Sequence, residues 1–469
     1  MGYLYLYKIN QDWSVHMSNS TKSAFSGRLG YVLAVASSAV GLGNIWRFPY
    51  LAAKYGGGMF LLTYLILAIT FGFTLLMCET TLGRKTGKSP IGAFKALGAK
   101  KLMFGGWINA LVPFIIVPYY CVIGGWVCRY FYGFITGEMH TLVQDSFFTD
   151  YISDPIIPSV TLLIFGGCTL LIASIGVEKG IEKVSKVLMP LLIVIAIFLS
   201  IYSLTQPGAM EGLKYYLTPD FSNFSFMTVV AAMGQLFFSL SLAMGVLFTY
   251  GSYLKKDIDI EKSIGQVEIV DTLVAFLAGL MIVPAVFIFS NGDTNALQAG
   301  PSLMFVTMPK VFESMPAGAF MGGLFFLLIF FAAVTSSISL VETCISTIVE
   351  KTKLSRKAAI GIMGLEILAI GIPCSLGFGP LAAVQFFGMS ILDFLDFISN
   401  YVMMPIGAIC TCLLILKVTG IHTVIDEVKL SSKFRRQPLF EVCLKYITIP
   451  ALAIILVSYV LQTLGVITI

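Results

Sequence analysis

The sequence predicts an all-α membrane protein with eleven transmembrane helices. Three observations carry this. Hydrophobic residues make up 57% of the 469 residues and charged residues only 12%, too little charge to coat a soluble domain of this length. The mean hydropathy is +0.89. The apolar residues are also gathered into long continuous runs, unlike the short alternating strands of a membrane barrel. Helices suit such runs because a helix satisfies its own backbone where water is absent.

Gly58 to Met77 is the clearest run, 20 residues without a charge. Eleven such segments fall at about 29–53, 58–80, 103–135, 157–175, 186–204, 226–253, 266–290, 318–349, 357–373, 389–416 and 446–466. Residues 1–21 read as a flexible tail and 22–466 as a single transmembrane domain. Within it, one repeat spans about 29–204, the second about 226–416, and the eleventh helix about 446–466. Met17 begins a more ordinary leader than Met1 does, so translation is expected to start there.

Lysine and arginine set the expected orientation. With the N-terminus inside, the tail and the cytoplasmic loops hold 25 of the chain's 30 Lys and Arg. Only Lys214 and Lys310 fall in outside loops; Arg47, Lys54 and Arg129 sit within helices or at their outer ends. The reading is a multi-pass protein of the cell's inner (plasma) membrane, N-terminus cytoplasmic and C-terminus outside. The formal charge of +5 then reflects topology, and nucleic acid is excluded as a partner. The nine cysteines show no metal-type spacing and mostly lie in apolar helices, so they read as small core residues.

Two segments interrupt the apolar pattern. The first is Ser37-Ser38-Ala39-Val40-Gly41-Leu42-Gly43-Asn44-Ile45-Trp46-Arg47-Phe48-Pro49 in the first helix. The second is Gly234 to Gly245 in the sixth. Glycines, an amide and a guanidinium are poor choices for a lipid-facing helix and suit unwound backbone around a cavity. The alternative is two kinked helices with glycines at packing contacts. The matching places of the two breaks, in the first helix of each half, favour a transporter site at the membrane midplane. Thr335-Ser336-Ser337 in the eighth helix adds hydroxyls. Hydroxyls in apolar helices often bond back to the preceding turn, but three in a row after small residues point to a polar cavity. Neutral oxygens suit a dehydrated monovalent cation; divalent sites gather carboxylates.

The run from Ala39 to Tyr50 resembles the signature of the neurotransmitter:sodium symporter family. Glu79-Thr80-Thr81-Leu82-Gly83-Arg84, the sixth helix, Thr335-Ser336-Ser337 and Leu354-Ser355-Arg356-Lys357 also match, in order, over about residues 22 to 466. The resemblance is closest to the prokaryotic amino-acid branch with eleven helices. It implies a leucine-transporter-like inverted 5+5 repeat and alternating access. It implies two sodium sites. The first would use the Ala39 carbonyl, Asn44, Ser239 and Asp271. The second would use the carbonyls of Ser37, Val40 and Ala332 with the hydroxyls of Thr335 and Ser336. Neutral oxygens from broken helices would replace the ion's water.

The resemblance also implies a substrate site. A carboxylate would meet backbone amides from Gly41 through Leu42 to Gly43, at a half-helix N-terminus, and the Tyr120 hydroxyl; the alternative for Tyr120 is a core tyrosine. Ala39, Ser239 and Ser336 would border the same site. An amino group would meet carbonyls near Phe238 and Ser241, with Phe238 capping the pocket. Ile116, Phe238, Met244 and Leu340 would line its apolar side. Arg47 and Asp396 would form the outer gate, and Lys22 and Glu350, with Tyr253 beside them, the inner one. Here the sequence departs from the family, which usually has Arg and Trp where this chain has Lys22 and Phe25; a looser inner latch is expected. Glu79 reads either as a tie between the two broken helices or as a helix-end charge.

Gly41 decides the substrate class. Amine-moving relatives carry an Asp there; a glycine leaves room and bare amides for an α-carboxylate. The expected function is sodium-coupled symport of a neutral amino acid, hydrophobic or aromatic, by a monomer or homodimer in the lipid bilayer. Chloride-dependent relatives have Asn at the Asp271 position and a small hydroxyl residue at Ala275, so the fixed carboxylate is expected to remove the need for chloride. A channel would want rings of equivalent groups in place of two gates. A sensor without turnover remains open at this stage. An enzyme is not expected, since no nucleophile, base and orienting group stand together.

Overall fold

The computed structural model describes residues 24–290, 301–463 and 466. The described residues are built from helices, most of them long and apolar. Numbered along the chain, the first helix is a pair, Arg28–Ala39 and Gly43–Lys54, bent by 56° at the break between them. The second to fifth are Gly58–Thr86, Met103–Ile135, Ile157–Ile175 and Val177–Leu204. The sixth is again in two pieces, Phe226–Ser239 and Val246–Ser252. The seventh to eleventh are Ile260–Phe289, Gly318–Thr352, Arg356–Leu376, Ile391–Thr419 and Gln437–Gln462.

Nine of these helices are long and apolar enough to cross a membrane, ten counting the bent pair. The sixth falls short because its pieces hold 14 and 7 residues. Eleven crossings therefore require both pieces to act as one span.

Several helices run further than their apolar stretches. The second continues to Thr86, and the fifth, seventh and eleventh begin at Val177, Ile260 and Gln437. Hydropathy stops at a charge, but a helix does not when the charge finds a partner. Glu182 accepts from the Ser26 backbone at 2.9 Å and pairs with Lys186 at 2.6 Å. Glu261 accepts from the backbone N–H groups of Arg435 and Arg436, both at 2.7 Å. Arg84, 2% exposed, pairs with Glu427 at 2.9 Å and donates to the Ile258 carbonyl at 2.7 Å. These bonds gather the lysine- and arginine-rich segments around 84, 258 and 427 at one end of the molecule.

The eighth helix lies along the third, the third along the fourth, and the fifth along the seventh. The inner piece of the sixth packs tightly on the second. Two glycines make that contact possible. A Cβ on Gly83 would collide with the Phe248 carbonyl oxygen, its carbon 2.9 Å away, and one on Gly251 with the Thr80 carbonyl oxygen, its carbon 3.1 Å away. Small residues let helices approach main chain to main chain where lipid offers no hydrophobic drive. All nine cysteines are free, and seven are buried, in keeping with a core role.

The second break is shorter than the sequence suggested. The helix holds through Ser239 and opens only over Leu240 to Gly245. Gly234 stays helical, and its missing side chain instead leaves room for the Tyr459 ring and hydroxyl. Within the break Ser241 and Ala243 adopt φ of 52° and 57°, and Gly245 71°. Left-handed conformations cost a non-glycine residue about 1–2 kcal/mol, so they need local compensation. Glu79 accepts from the Ala243 N–H at 2.8 Å, and the Ser241 hydroxyl donates to the Ser38 carbonyl at 3.0 Å.

Candidate functional site: two oxygen clusters around a small cavity

The first helix turns at Val40 to Leu42 and resumes as a π-helical turn over Gly43–Arg47. Such turns free backbone groups from the regular ladder and recur at functional sites. The Gln235 side chain donates to the Gly43 carbonyl at 2.9 Å, tying this break to the sixth helix.

Beside this turn stands the first cluster. Asp271, fully buried in the seventh helix, accepts from the Asn44 amide at 2.8 Å and from the Ser239 hydroxyl at 2.9 Å. The Asn44 amide also donates to Ser239 at 2.9 Å, and its oxygen accepts from the Gly41 N–H at 3.0 Å. The amide nitrogen thus faces the carboxylate. A cation between Asn44 and Asp271 requires a half-turn of the amide to present its oxygen, a change that leaves the shape of the group intact. Tyr64 of the second helix donates to the second carboxylate oxygen at 3.3 Å. Sequence reasoning missed it; the only signal was a polar tip in an apolar helix, which must find a partner when buried.

The second cluster lies on the inner side of the same turn. The Ser336 hydroxyl stands 3.4, 3.0 and 3.1 Å from the carbonyl oxygens of Ser37, Ser38 and Val40. One hydroxyl cannot donate to three carbonyls at once, so this is a focus of oxygen atoms. Thr335 behaves differently: its hydroxyl bonds back to the Phe331 carbonyl at 2.9 Å and the Ala332 carbonyl at 3.2 Å. Ser337 is buried and does not line the cavity. Of the three hydroxyls expected at a polar cavity, only Ser336 therefore borders it, because successive residues on a helix point about 100° apart. Ser37 is held from behind by the Ser185 hydroxyl of the fifth helix at 2.8 Å, a partner the sequence did not reveal.

Between the clusters is a cavity of about 30 Å³. All twelve residues that the resemblance implied as substrate contacts line it, and Ser38 and Asn44 join them. Gly41 is its closest wall. A Cβ there would stand 2.9 Å from the Ser336 hydroxyl and 3.2 Å from the Tyr120 hydroxyl. A Cβ on Gly43 would stand 2.6 Å from the Phe238 ring. Ile116, Met244 and Leu340 form the apolar side.

Phe238 also lines a second cavity, about 310 Å³, shared by Arg47, Asp396, Asn400, Tyr401 and Tyr459. The two expected gate residues face this space without pairing. Arg47 donates to the Tyr459 hydroxyl at 2.6 Å, and Asp396 accepts from Asn400 at 2.6 Å. Among the described residues no carboxylate oxygen lies within 4 Å of the Arg47 guanidinium.

At the other end Lys22 lies outside the described residues. Glu350 accepts from the Ser89 N–H at 2.7 Å. The Tyr253 hydroxyl donates to Glu342 at 2.9 Å. Arg356 holds the same carboxylate at 3.0 Å. Glu342 is fully buried, so its charge needs this guanidinium, and Tyr253 is the nearest further donor. Phe25 packs edge-on against Tyr31 and Tyr250, with ring centroids 5.6 and 5.4 Å apart. Glu79 ties the second helix to the break in the sixth through Ala243.

Broken helices around a cavity rich in neutral oxygens are the architecture of a secondary transporter, not of an enzyme. The family model "Sodium:neurotransmitter symporter family" matches residues 22–157 and 150–467. The chain belongs to that family. It is 38% identical over 403 residues to the uncharacterized sodium-dependent transporter YhdH of Bacillus subtilis, covering 85% of this chain and 88% of that one. An uncharacterized sodium-dependent transporter of Haemophilus influenzae is 36% identical over 407 residues, with 84% and 88% covered. The crystal structure of MhsT in complex with L-phenylalanine superimposes with a TM-score of 0.84 at 37% identity, covering 93% of this chain and all of that one. The protein is thus a multi-pass membrane transporter of the sodium-dependent kind.

Proposed function

We propose that the chain carries a neutral amino acid, hydrophobic or aromatic, across the membrane together with sodium bound at two sites, without chloride. The carrying observation is the convergence of both helix breaks on one cavity. Bare backbone at Gly41 and Gly43 forms one wall, apolar side chains another, and an oxygen cluster lies on either side. A zwitterion suits the chemistry of this lining once the cavity of about 30 Å³ widens to admit it: amides at the half-helix N-terminus meet its carboxylate, and carbonyls of the broken sixth helix meet its ammonium. Ile116, Met244 and Leu340 offer its side chain only dispersion and burial. The phenylalanine in the MhsT structure supports this class of substrate.

In this reading Asn44, Ser239 and Asp271 serve the first sodium, with the Ala39 carbonyl. Ser336, Thr335 and the carbonyls of Ser37, Val40 and Ala332 serve the second. The lysine- and arginine-rich end faces the cytoplasm, which makes the cavity at Arg47 and Asp396 the outer vestibule. The test is uptake of labelled amino acids by proteoliposomes under an inward sodium gradient. Uptake is expected for apolar and aromatic amino acids. It should be abolished when potassium or choline replaces sodium, and it should persist when gluconate replaces chloride. Undiminished uptake on a proton gradient alone overturns the coupling.

A further inference from the structure

We propose that Tyr459, on the eleventh helix, is a positioning residue of the outer gate. It holds Arg47 in the open arrangement, and closure passes the guanidinium from the Tyr459 hydroxyl to the Asp396 carboxylate. The inference rests on the outward orientation of this vestibule given above.

The geometry begins with Arg47. Its guanidinium donates to the Tyr459 hydroxyl at 2.6 Å and stands 5.8, 5.6 and 5.8 Å from the ring centres of Tyr459, Tyr401 and Phe238. Tyr401 and Tyr459 are themselves in contact, with ring centres 4.3 Å apart. The cation is therefore held by one neutral acceptor and three π-faces. Asp396 is satisfied separately: Asn400 donates to it at 2.6 Å and also reaches the Tyr119 hydroxyl at 3.1 Å. Opposite charges so divided across one cavity have a further interaction in reserve: each now bonds a neutral partner, whereas together they would form an ion pair, with the option of two parallel bonds between guanidinium and carboxylate.

The seat of Tyr459 is built. The residue is 4% exposed, and its hydroxyl fits against Gly234 of the sixth helix. A Cβ there would stand 3.0 and 3.2 Å from Cζ and Cε2 of the ring. The eleventh helix is thereby docked on the outer half of the sixth, within reach of Arg47 on the outer half of the first. Phe238, which caps the substrate cavity, is the shared wall below. An arginine held by a neutral hydroxyl leaves the vestibule accessible. Contraction around a substrate that pulls in Phe238 brings Asp396 into competition for the cation and seals the path.

The test uses the full chain with Leu392→Cys, a position lining the vestibule. A membrane-impermeant charged methanethiosulfonate is applied in sodium without amino acid, and the chain lacking that cysteine supplies the background. Y459F removes the hydroxyl and keeps the ring. It is expected to slow labelling about tenfold, the loss of one hydrogen bond to a charged group, and to lower KM and kcat together. D396N removes the closing partner and is expected to speed labelling and raise KM. Unchanged labelling and an unchanged KM and kcat in folded Y459F overturn the proposal. Should Y459F fail to fold, D396N decides: an unchanged labelling rate overturns it. Labelling needs no transport. Loss of the functional reading, seen as native protein without sodium-dependent uptake, is therefore distinct from loss of this one.

Discussion

Replacing Asp271 by Asn removes the one negative charge in the first oxygen cluster while preserving its shape. The carboxylate is fully buried and lies 2.8–2.9 Å from Asn44 and Ser239. A sodium ion held by those groups would lie closer than about 5 Å to the charge, so that distance sets a floor on the attraction. At an effective dielectric of about 20, that attraction is roughly 3 kcal/mol, or about two decades in affinity. On the proposed function, two sodium ions and a zwitterion would bring +2, and Asp271 would lower the site to +1, so that no chloride is needed. The assay is equilibrium binding of a labelled amino acid to purified protein, titrated with sodium in chloride and in gluconate. D271N is expected to need about a hundredfold more sodium. Ala275 is buried one helical turn further on, on the same face. D271N combined with A275S is expected to recover part of the affinity, in chloride only. Unaltered sodium dependence in D271N, or native uptake that disappears in gluconate, refutes the reasoning.

Three further outcomes follow from the same geometry. Ser336→Ala removes the hydroxyl at the focus of three carbonyls and should weaken apparent sodium affinity about fivefold, one ordinary hydrogen bond. Thr335→Ala should shift it less, since that hydroxyl bonds back to its own helix. Neither should reorder the preferred amino acids, and a changed substrate ranking with intact sodium response counts against this assignment. Gly41→Asp adds a carboxylate whose Cβ alone stands 2.9 Å from the Ser336 hydroxyl. It should abolish amino-acid binding in a scintillation proximity assay, and retained tight binding defeats the argument for an α-carboxylate. Gly83→Ala forces a methyl group against the Phe248 backbone and should cost about 1–3 kcal/mol, visible as a lowered melting temperature in detergent; an unchanged melting temperature contradicts the close approach.

The site was legible where residue type alone restricts the chemistry. Gly41, Gly43, Asn44 and Arg47 in one apolar helix have few bland explanations, and Asp271 borders a long uncharged stretch. Tyr64, Tyr459 and Ser185 were not legible, because a lone tyrosine or serine in an apolar helix reads the same whether it meets lipid, core or a site. Only the fold selects its partner. Ser336 and Ser337 show the converse: adjacent hydroxyls look like one feature in sequence, yet of the two only Ser336 lines the cavity. Helix ends were misjudged for a related reason. Glu182, Glu261 and Arg84 look like loop residues on a hydropathy scale, but each has a partner more than 150 residues away. Nor did the sequence reveal that the Tyr253 hydroxyl meets the buried Glu342.

The seam at Gly83 and Gly251 has a mechanical consequence. Main chains that touch without side chains between them cannot slide past one another by rotamer changes. Val246–Ser252 should therefore travel as a passenger of the second helix, and Glu79 extends the coupling to Ala243. What remains to bend is the short stretch from Leu240 to Gly245. A hinge confined to six residues makes Val246–Ser252 a lever whose pivot lies beside the cavity, so a small displacement there becomes a larger one at its far end. In deuterium exchange the pivot amides should open first, while those of the seam follow the slow protection of the second helix.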